Sequence, residues 1–156
     1  MQLYLVQHGA AKSEAEDLLR GLTEEGRRTA ERLADFLTPL QLSLDRIKHS
    51  DKLRARQTAE ILAERLRPRE GTREIRGMAP KDEVEAMRSR LQGESKNLML
   101  VGHLPYLGRL VARLLGLERD RDAVQFQMGG LVRLDRQETG HWVLQWMIMP
   151  DLLMHR

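Results

Sequence analysis

The chain contains no cysteine. That excludes a disulfide scaffold, thiol catalysis and thiolate metal sites. Aromatic residues make up only 4% of it, and no basic stripe interleaved with stacking aromatics is visible, which argues against a nucleic-acid partner. No apolar run approaches the roughly 18–20 residues that a membrane span needs. The segment MQLYLVQHGAAK at the start is apolar for only a few residues and lacks a basic leader, so it does not read as a signal peptide. An excess of one charge is missing too: 26 basic residues face 23 acidic ones, a net of +3. The two signs are interspersed, as in Glu24-Glu25-Gly26-Arg27-Arg28. The expectation is a soluble, reduced, cytoplasmic protein with no membrane and no nucleic-acid partner.

What is present suits a packed domain. The 156 residues are 41% hydrophobic and 31% charged, enough to bury one core but not two, so residues 1–156 read as a single domain. Of the 26 basic residues 21 are Arg, the better fork for phosphate or carboxylate.

The pattern alternates strand and helix. Leu3-Tyr4-Leu5-Val6 is a buried strand ending at His8-Gly9, and the polar residues 10–22 form a loop. Thr23 caps a helix to about Leu37, with Ala30, Leu33, Ala34 and Leu37 on one face and Thr38-Pro39 as its stop. Asp45 to His49 is a weak second strand. Ser50 is the expected cap of a helix to about Leu66 that Pro68 ends. A short edge strand is expected at Thr72 to Arg76 and a modest helix at Asp82 to Leu91. Asn97 to Val101 is the clearest buried strand, followed by Gly102-His103. Leu104-Pro105 opens a helix that Gly116 closes, with Pro tolerated in its first turn. Strands at Leu131 to Asp135 and Trp142 to Met149 make a final hairpin around Glu138-Thr139-Gly140. Together these predict an α/β protein, a three-layer α/β/α sandwich around a mainly parallel central sheet.

Two strands end alike, in Gln7-His8-Gly9 and in Gly102-His103. Ligands of open α/β sheets bind beyond the carboxyl ends of the strands, so both histidines would face one crevice. Each alone reads first as a structural histidine; the shared position is what makes a functional pair worth weighing. A neutral imidazole serves as nucleophile or as metal ligand. A metal would need a third ligand, and His49, His141 and His155 do not occupy comparable strand ends in this reading. Arg54 stands in the first turns of its helix, where a guanidinium and a helix N-terminus both suit an anion. Taken alone it reads first as a solvated charge beside Asp51. Arg20, near the end of the loop, is uninformative alone.

The order of these motifs carries a resemblance. A strand then His8-Gly9, Leu22-Thr23 with Gly26, Ser50…Leu53-Arg54-Ala55…Gln57-Thr58, and Gly102-His103-Leu104-Pro105 resemble the histidine phosphatase superfamily, with its phosphoglycerate-mutase-like fold. The short length and the His-Leu-Pro form resemble its SixA-type branch of phosphohistidine phosphatases. The resemblance implies that His8 is the nucleophile that takes the phosphoryl group. It implies that His103 is the second histidine, stabilising the transition state. It implies phosphate contacts by Arg54, by Arg20 and at Gly9 of the first motif. It implies no metal and no other cofactor. The expected partner is a protein bearing phosphohistidine, with phosphate and similar anions as ligands.

There are two departures. The family's first motif is usually Arg-His-Gly, and here Gln7 replaces the arginine. Gln7 can still donate to phosphate from its amide, without charge. A charge-assisted hydrogen bond is worth about 1.5–3 kcal/mol, so the loss costs roughly 10- to 150-fold where nothing compensates. No glutamate aligns as a proton donor either, and Asp82-Glu83 read as the start of an exposed helix. The expected function is therefore a phosphohistidine phosphatase working through a covalent intermediate on His8. The alternatives are a general small-molecule phosphomonoesterase and, because of Gln7, a catalytically weak phosphate- or phosphoprotein-binding module.

Overall fold

A computed structural model of the chain describes residues 1–118 and 121–154; His155 lies outside them. Its centre is a six-stranded sheet in the order β3-β2-β4-β1-β5-β6. The strands are β1 (Gln2–Gln7), β2 (Arg46–His49), β3 (Thr72–Glu74), β4 (Leu98–Gly102), β5 (Leu131–Arg136) and β6 (Trp142–Ile148). The first four strands in chain order run parallel, and the closing hairpin β5–β6 adds to β1 antiparallel. The helices are α1 (Glu24–Leu37), α2 (Leu53–Leu66), α3 (Glu85–Gln92) and α4 (Tyr106–Leu114).

Strand residues alternate between two apolar cores, which makes the three layers. Leu3 and Leu5 pack with Leu98, Leu100 and the α3–α4 side. Tyr4 and Val6 pack with Met99, Val101 and the α1–α2 side. A period of two in side-chain direction, with both faces covered, is what turns a parallel strand into a continuous apolar run. No helix among the described residues is long and apolar enough to cross a membrane.

Helix α1 follows its sequence signals: the Thr23 hydroxyl accepts from the Gly26 N–H at 3.0 Å, and Ala30, Leu33, Ala34 and Leu37 are buried. Three expectations need correction. Ser50 does not cap α2, which starts at Leu53 after an uncapped Lys52, because the Ser50 hydroxyl is engaged elsewhere. Asp82-Glu83 do not start a helix. Asp82 closes a turn by accepting from the Ala79 N–H at 2.9 Å, and α3 begins only at Glu85. His49 does sit at a strand end: it is the last residue of β2 and is buried.

Candidate active site

The register of β1 against β4 assembles the centre. Val6 pairs with Val101 and Gln7 with Gly102, and the His8 N–H donates to the Gly102 carbonyl at 3.0 Å. One residue further on, the two strands deliver His8 and His103 side by side, with ring centroids 5.0 Å apart and planes at 53°. Both are buried, His8 with 9% and His103 with 1% of its surface exposed.

Hydrogen bonds assign the ring protons. His8 Nδ1 lies 2.6 Å from the Gly9 carbonyl oxygen, which can only accept, so Nδ1 carries the proton. Nε2 of His8 is left as a lone pair with no hydrogen bond among the described residues. His103 Nε2 lies 2.6 Å from Ser50 Oγ. That hydroxyl already accepts from the Lys52 N–H at 3.3 Å, and His103 Nε2 is the acceptor in reach for its proton. We assign Ser50 as the donor, which satisfies its proton and puts the His103 proton on Nδ1, a nitrogen buried without a partner. The centre thus holds one imidazole lone pair and one unused N–H donor.

Both rings are neutral near pH 7. Burial pushes His8 down to about 4; its bond to Gly9 opposes the shift, while Arg54 and Arg20 add to it. Burial also pushes His103 down to about 3, with further lowering by His8, Arg54, Lys52 and Arg20. Every charged side chain among these influences is a cation. Arg54 is itself held below its usual range by burial and by Arg20, and it makes no ion pair among the described residues. Two guanidiniums kept close without a carboxylate between them form a receptor for an anion.

Local struts hold this arrangement. The Gly9 N–H donates to Thr58 Oγ1 at 3.1 Å, and the Thr58 hydroxyl donates to the Arg54 carbonyl at 2.8 Å. Thr58 therefore ties the residue after His8 to the first turn of α2. Gln57 Oε1 accepts from the Leu22 N–H at 2.7 Å and seats the end of the loop on the same helix. A Cβ on Gly9 would come within 2.7 Å of the Gly26 carbonyl oxygen, so this glycine allows the post-strand turn to lie against α1. Arg20 has a positive φ of 52° and donates from Nε to the Lys12 carbonyl at 3.1 Å.

Of the residues singled out from sequence, His8, His103, Arg20 and Arg54 come together, and Gly9 lies in the turn beside them. Gln7 is buried at 8% exposure next to His8, but its Oε1 accepts no hydrogen bond. Sequence reasoning missed Ser50 and Lys52 as neighbours of His103. The signal was available: β2 pairs with β4, His49 opposite Val101, so the residue after β2 must face the residues after β4. Among the described residues no group of three or more His, Asp or Glu side chains could hold a metal ion.

Two histidines on adjacent parallel strand ends, within the electrostatic reach of Arg20 and Arg54, make an α/β site that suits an anion. The profile of the Histidine phosphatase superfamily (branch 1) matches residues 3–81, and the chain belongs to that superfamily. It is 26% identical over 155 residues to the phosphohistidine phosphatase SixA of Escherichia coli (strain K12), covering 96% of this chain and 94% of that one. The fold superposes on the protein histidine phosphatase SixA complexed with tungstate with a TM-score of 0.85 at 26% identity, over 98% of this chain and 99% of that one. It also superposes on the alpha-ribazole phosphatase from Shigella flexneri with a TM-score of 0.76, over 96% and 97% of the two chains. At 18% identity that match speaks for the fold alone.

Proposed function

We propose that this protein is a phosphatase that hydrolyses phosphohistidine on proteins, with His8 as nucleophile. The observation that carries the reading is the charge inventory: two neutral imidazoles amid Arg20, Arg54 and Lys52, with no carboxylate among the described residues acting on either ring. Such a site neutralises a phosphoryl group, but no carboxylic acid among the described residues acts on its two rings to serve a departing alkoxide. A phosphohistidine ring that solvent has protonated at its other nitrogen departs as neutral imidazole, whose conjugate acid has an ordinary pKa of about 6.5, and needs no such acid. The full-length likeness to SixA supports the same substrate class.

The steps follow from the ring protons. The His8 Nε2 lone pair attacks phosphorus. The bond from phosphorus to the substrate nitrogen breaks, and its electron pair stays on that nitrogen; because solvent has already protonated the ring's other nitrogen, the group leaves as neutral imidazole. Water then attacks the phosphorus held on His8. The P–Nε2 bond breaks, its pair returns to Nε2, and inorganic phosphate leaves. Charge on the equatorial oxygens is met by Arg20, Arg54 and the His103 Nδ1–H. Splitting one displacement into two through a covalent intermediate lowers each barrier.

The test pairs turnover of a phosphohistidine protein with that of a phosphoserine peptide, and traps labelled phosphate on the enzyme. The expected result is selective turnover of phosphohistidine with label on His8, both lost in His8→Ala. Label on another residue, or near-parental activity of His8→Ala, overturns the assignment. The buried, unpartnered Gln7 Oε1 favours one second reading: a weak phosphoprotein-binding module, which would bind without turning over.

A further inference from the structure

Three neighbouring strands, β2, β4 and β1, carry a histidine at or just past their carboxyl ends: His49, His103 and His8. His8 and His103 have tasks in the centre described above, and His49 so far has none. It is buried, so its ring polar atoms cost stability unless they find partners. Its Nδ1 lies 2.8 Å from the Ser50 carbonyl oxygen. That oxygen only accepts, so Nδ1 carries the proton and donates it. His8 does the same to the Gly9 carbonyl at 2.6 Å. Both rings thus clasp the carbonyl of the residue that follows them. At His8 the clasp leaves Nε2 for phosphorus. At His49 the clasped residue is Ser50, the partner of His103.

Ser50 is tied at each of its polar groups. Its N–H donates to the Val101 carbonyl at 3.3 Å, at the long end of the hydrogen-bond range. Its carbonyl accepts from His49, and its Oγ stands 2.6 Å from His103 Nε2 and takes the Lys52 N–H at 3.3 Å. A serine side chain turns about one torsion, so its hydroxyl reaches only what the backbone allows. Of the two contacts that hold that backbone, the one from His49 is the shorter. His49 is itself anchored: it pairs with Val101 across β2 and β4, and its carbonyl accepts from the Ile75 N–H at 2.9 Å. The local sequence also offers Ser50 a competing use. As a helix cap it would turn its carbonyl to the Arg54 N–H, four residues on, and its hydroxyl to the first turn of a longer α2. The clasp occupies that carbonyl and leaves the hydroxyl to His103.

We propose that His49 is a positioning residue for the phosphoryl chemistry: its Nδ1–H holds the Ser50 peptide so that the Ser50 hydroxyl meets His103 Nε2 and keeps the His103 proton on Nδ1. What that N–H then does for a phosphoryl group rests on the phosphohistidine-phosphatase reading; how it is held rests on the hydrogen bonds alone. The influence runs across two strands, from the last residue of β2 through Ser50 to the residue after β4. His49 acts through Ser50 and is no catalytic residue. A histidine that only fills space in the core is replaceable by any side chain of like shape. A clasp needs a donor at the place of Nδ1, and that requirement separates the two roles.

The test compares His49→Leu, which removes the donor, with His49→Asn, whose amide sets an N–H near the place of Nδ1. kcat and KM are measured on a phosphohistidine protein, and the ¹⁵N shifts of the His103 ring are read in the substrate-free enzyme. His49→Leu should lower kcat about tenfold with KM little changed, the size of one hydrogen bond misplaced in the transition state. It should also move the His103 proton toward Nε2. His49→Asn should recover most of kcat and keep the proton on Nδ1. In a Ser50→Ala background His49→Leu should cost nothing further, because the clasp works only through Ser50, whereas a packing role would cost the same in both backgrounds. Additive losses overturn the proposal. So does a His49→Asn that falls as far as His49→Leu, or a His103 proton that stays on Nδ1 in His49→Leu. If His49→Leu does not fold, His49→Asn decides: kcat and tautomer retained support the clasp, and a loss of either, or of the fold, overturns it. Failure of the phosphohistidine reading looks different: the parent turns over no phosphohistidine, while the His103 shifts still report whether His49 holds the tautomer.

Discussion

Ser50→Ala tests the assigned proton positions at the centre. The substitution removes the hydroxyl that donates to His103 Nε2 at 2.6 Å. Ser50 is 1% exposed and His103 is equally buried, so the space of one deleted oxygen is too small to admit a water as substitute. His103 Nε2 then becomes a buried acceptor without a partner, which costs about 1–3 kcal/mol. With the Ser50 proton gone, nothing any longer holds the ring proton on Nδ1, and the tautomer with the proton on Nε2 becomes accessible. In that tautomer a lone pair, not an N–H, faces the phosphoryl oxygens. Whichever way the penalty is taken, 1–3 kcal/mol of transition-state stabilisation corresponds to a roughly 5- to 150-fold fall in kcat. KM should change much less, because the arginines bind ground state and transition state alike. Two readouts separate this from general damage. The ¹⁵N shifts of the His103 ring report which nitrogen is protonated, and Ser50→Thr, which keeps the hydroxyl, should recover most of the activity. If Ser50→Ala retains kcat within twofold and the His103 proton stays on Nδ1, the tautomer argument fails.

Three further outcomes are expected. Arg54→Ala should lower kcat/KM on phosphohistidine by about two orders of magnitude, as loss of a charge-assisted phosphate contact implies, while thermal unfolding shifts little; unchanged kinetics would return Arg54 to a solvated charge. Gln7→Arg should tighten inhibition by phosphate at fixed ionic strength, since it places a guanidinium where an unpartnered amide oxygen is buried; no gain would mean that repulsion from Arg20 and Arg54 cancels the added attraction. The third concerns pH. The folded-state pKa of His8, about 4, lies below the unfolded value of about 6.5, so the unfolded chain binds the extra proton. His8 should then leave stability intact above pH ~6.5 and withdraw about 3 kcal/mol as pH falls through 4. Denaturant titrations at stepped pH check this, with His8→Gln expected to flatten the slope.

Much of the fold was legible because parallel strands buried on both faces read as continuous apolar runs. Leu3–Val6 and Leu98–Val101 are of that kind, and their shared His endings pointed to one crevice. The helix limits were legible where local chemistry sets them, as with Thr23 before α1. They were not legible where a side chain serves a distant partner. Ser50 looks like a cap from its neighbours alone, yet its hydroxyl goes to His103, 53 residues away. Gln57 and Thr58 belong to a motif the sequence shows, but their task as struts exists only once Leu22 and Gly9 are folded against them. Asp82 resembles a helix start, but its oxygen is used within a turn. The tautomers, too, exist only once Gly9 and Ser50 are placed against the rings.

Register is the link between this core and this chemistry. When one face of a strand is wet, a one-residue slip exposes its apolar set and is strongly disfavoured. Strands β1 and β4 lack that safeguard, because Leu3, Tyr4, Leu5 and Val6 are all buried, as are Leu98 through Val101. Their register must be held at the ends. A slip would move His8 away from the Gly102 carbonyl and carry Gly9 off the Gly26 backbone, which it approaches too closely for any other residue. It would also take His103 out of reach of Ser50, whose own N–H is held by the Val101 carbonyl at 3.3 Å. The contacts that orient the two imidazoles therefore also help to fix the pairing of the central strands. A weakening of the Ser50–His103 contact should thus be felt first as a misplaced ring proton, and only with further damage as a loss of the sheet.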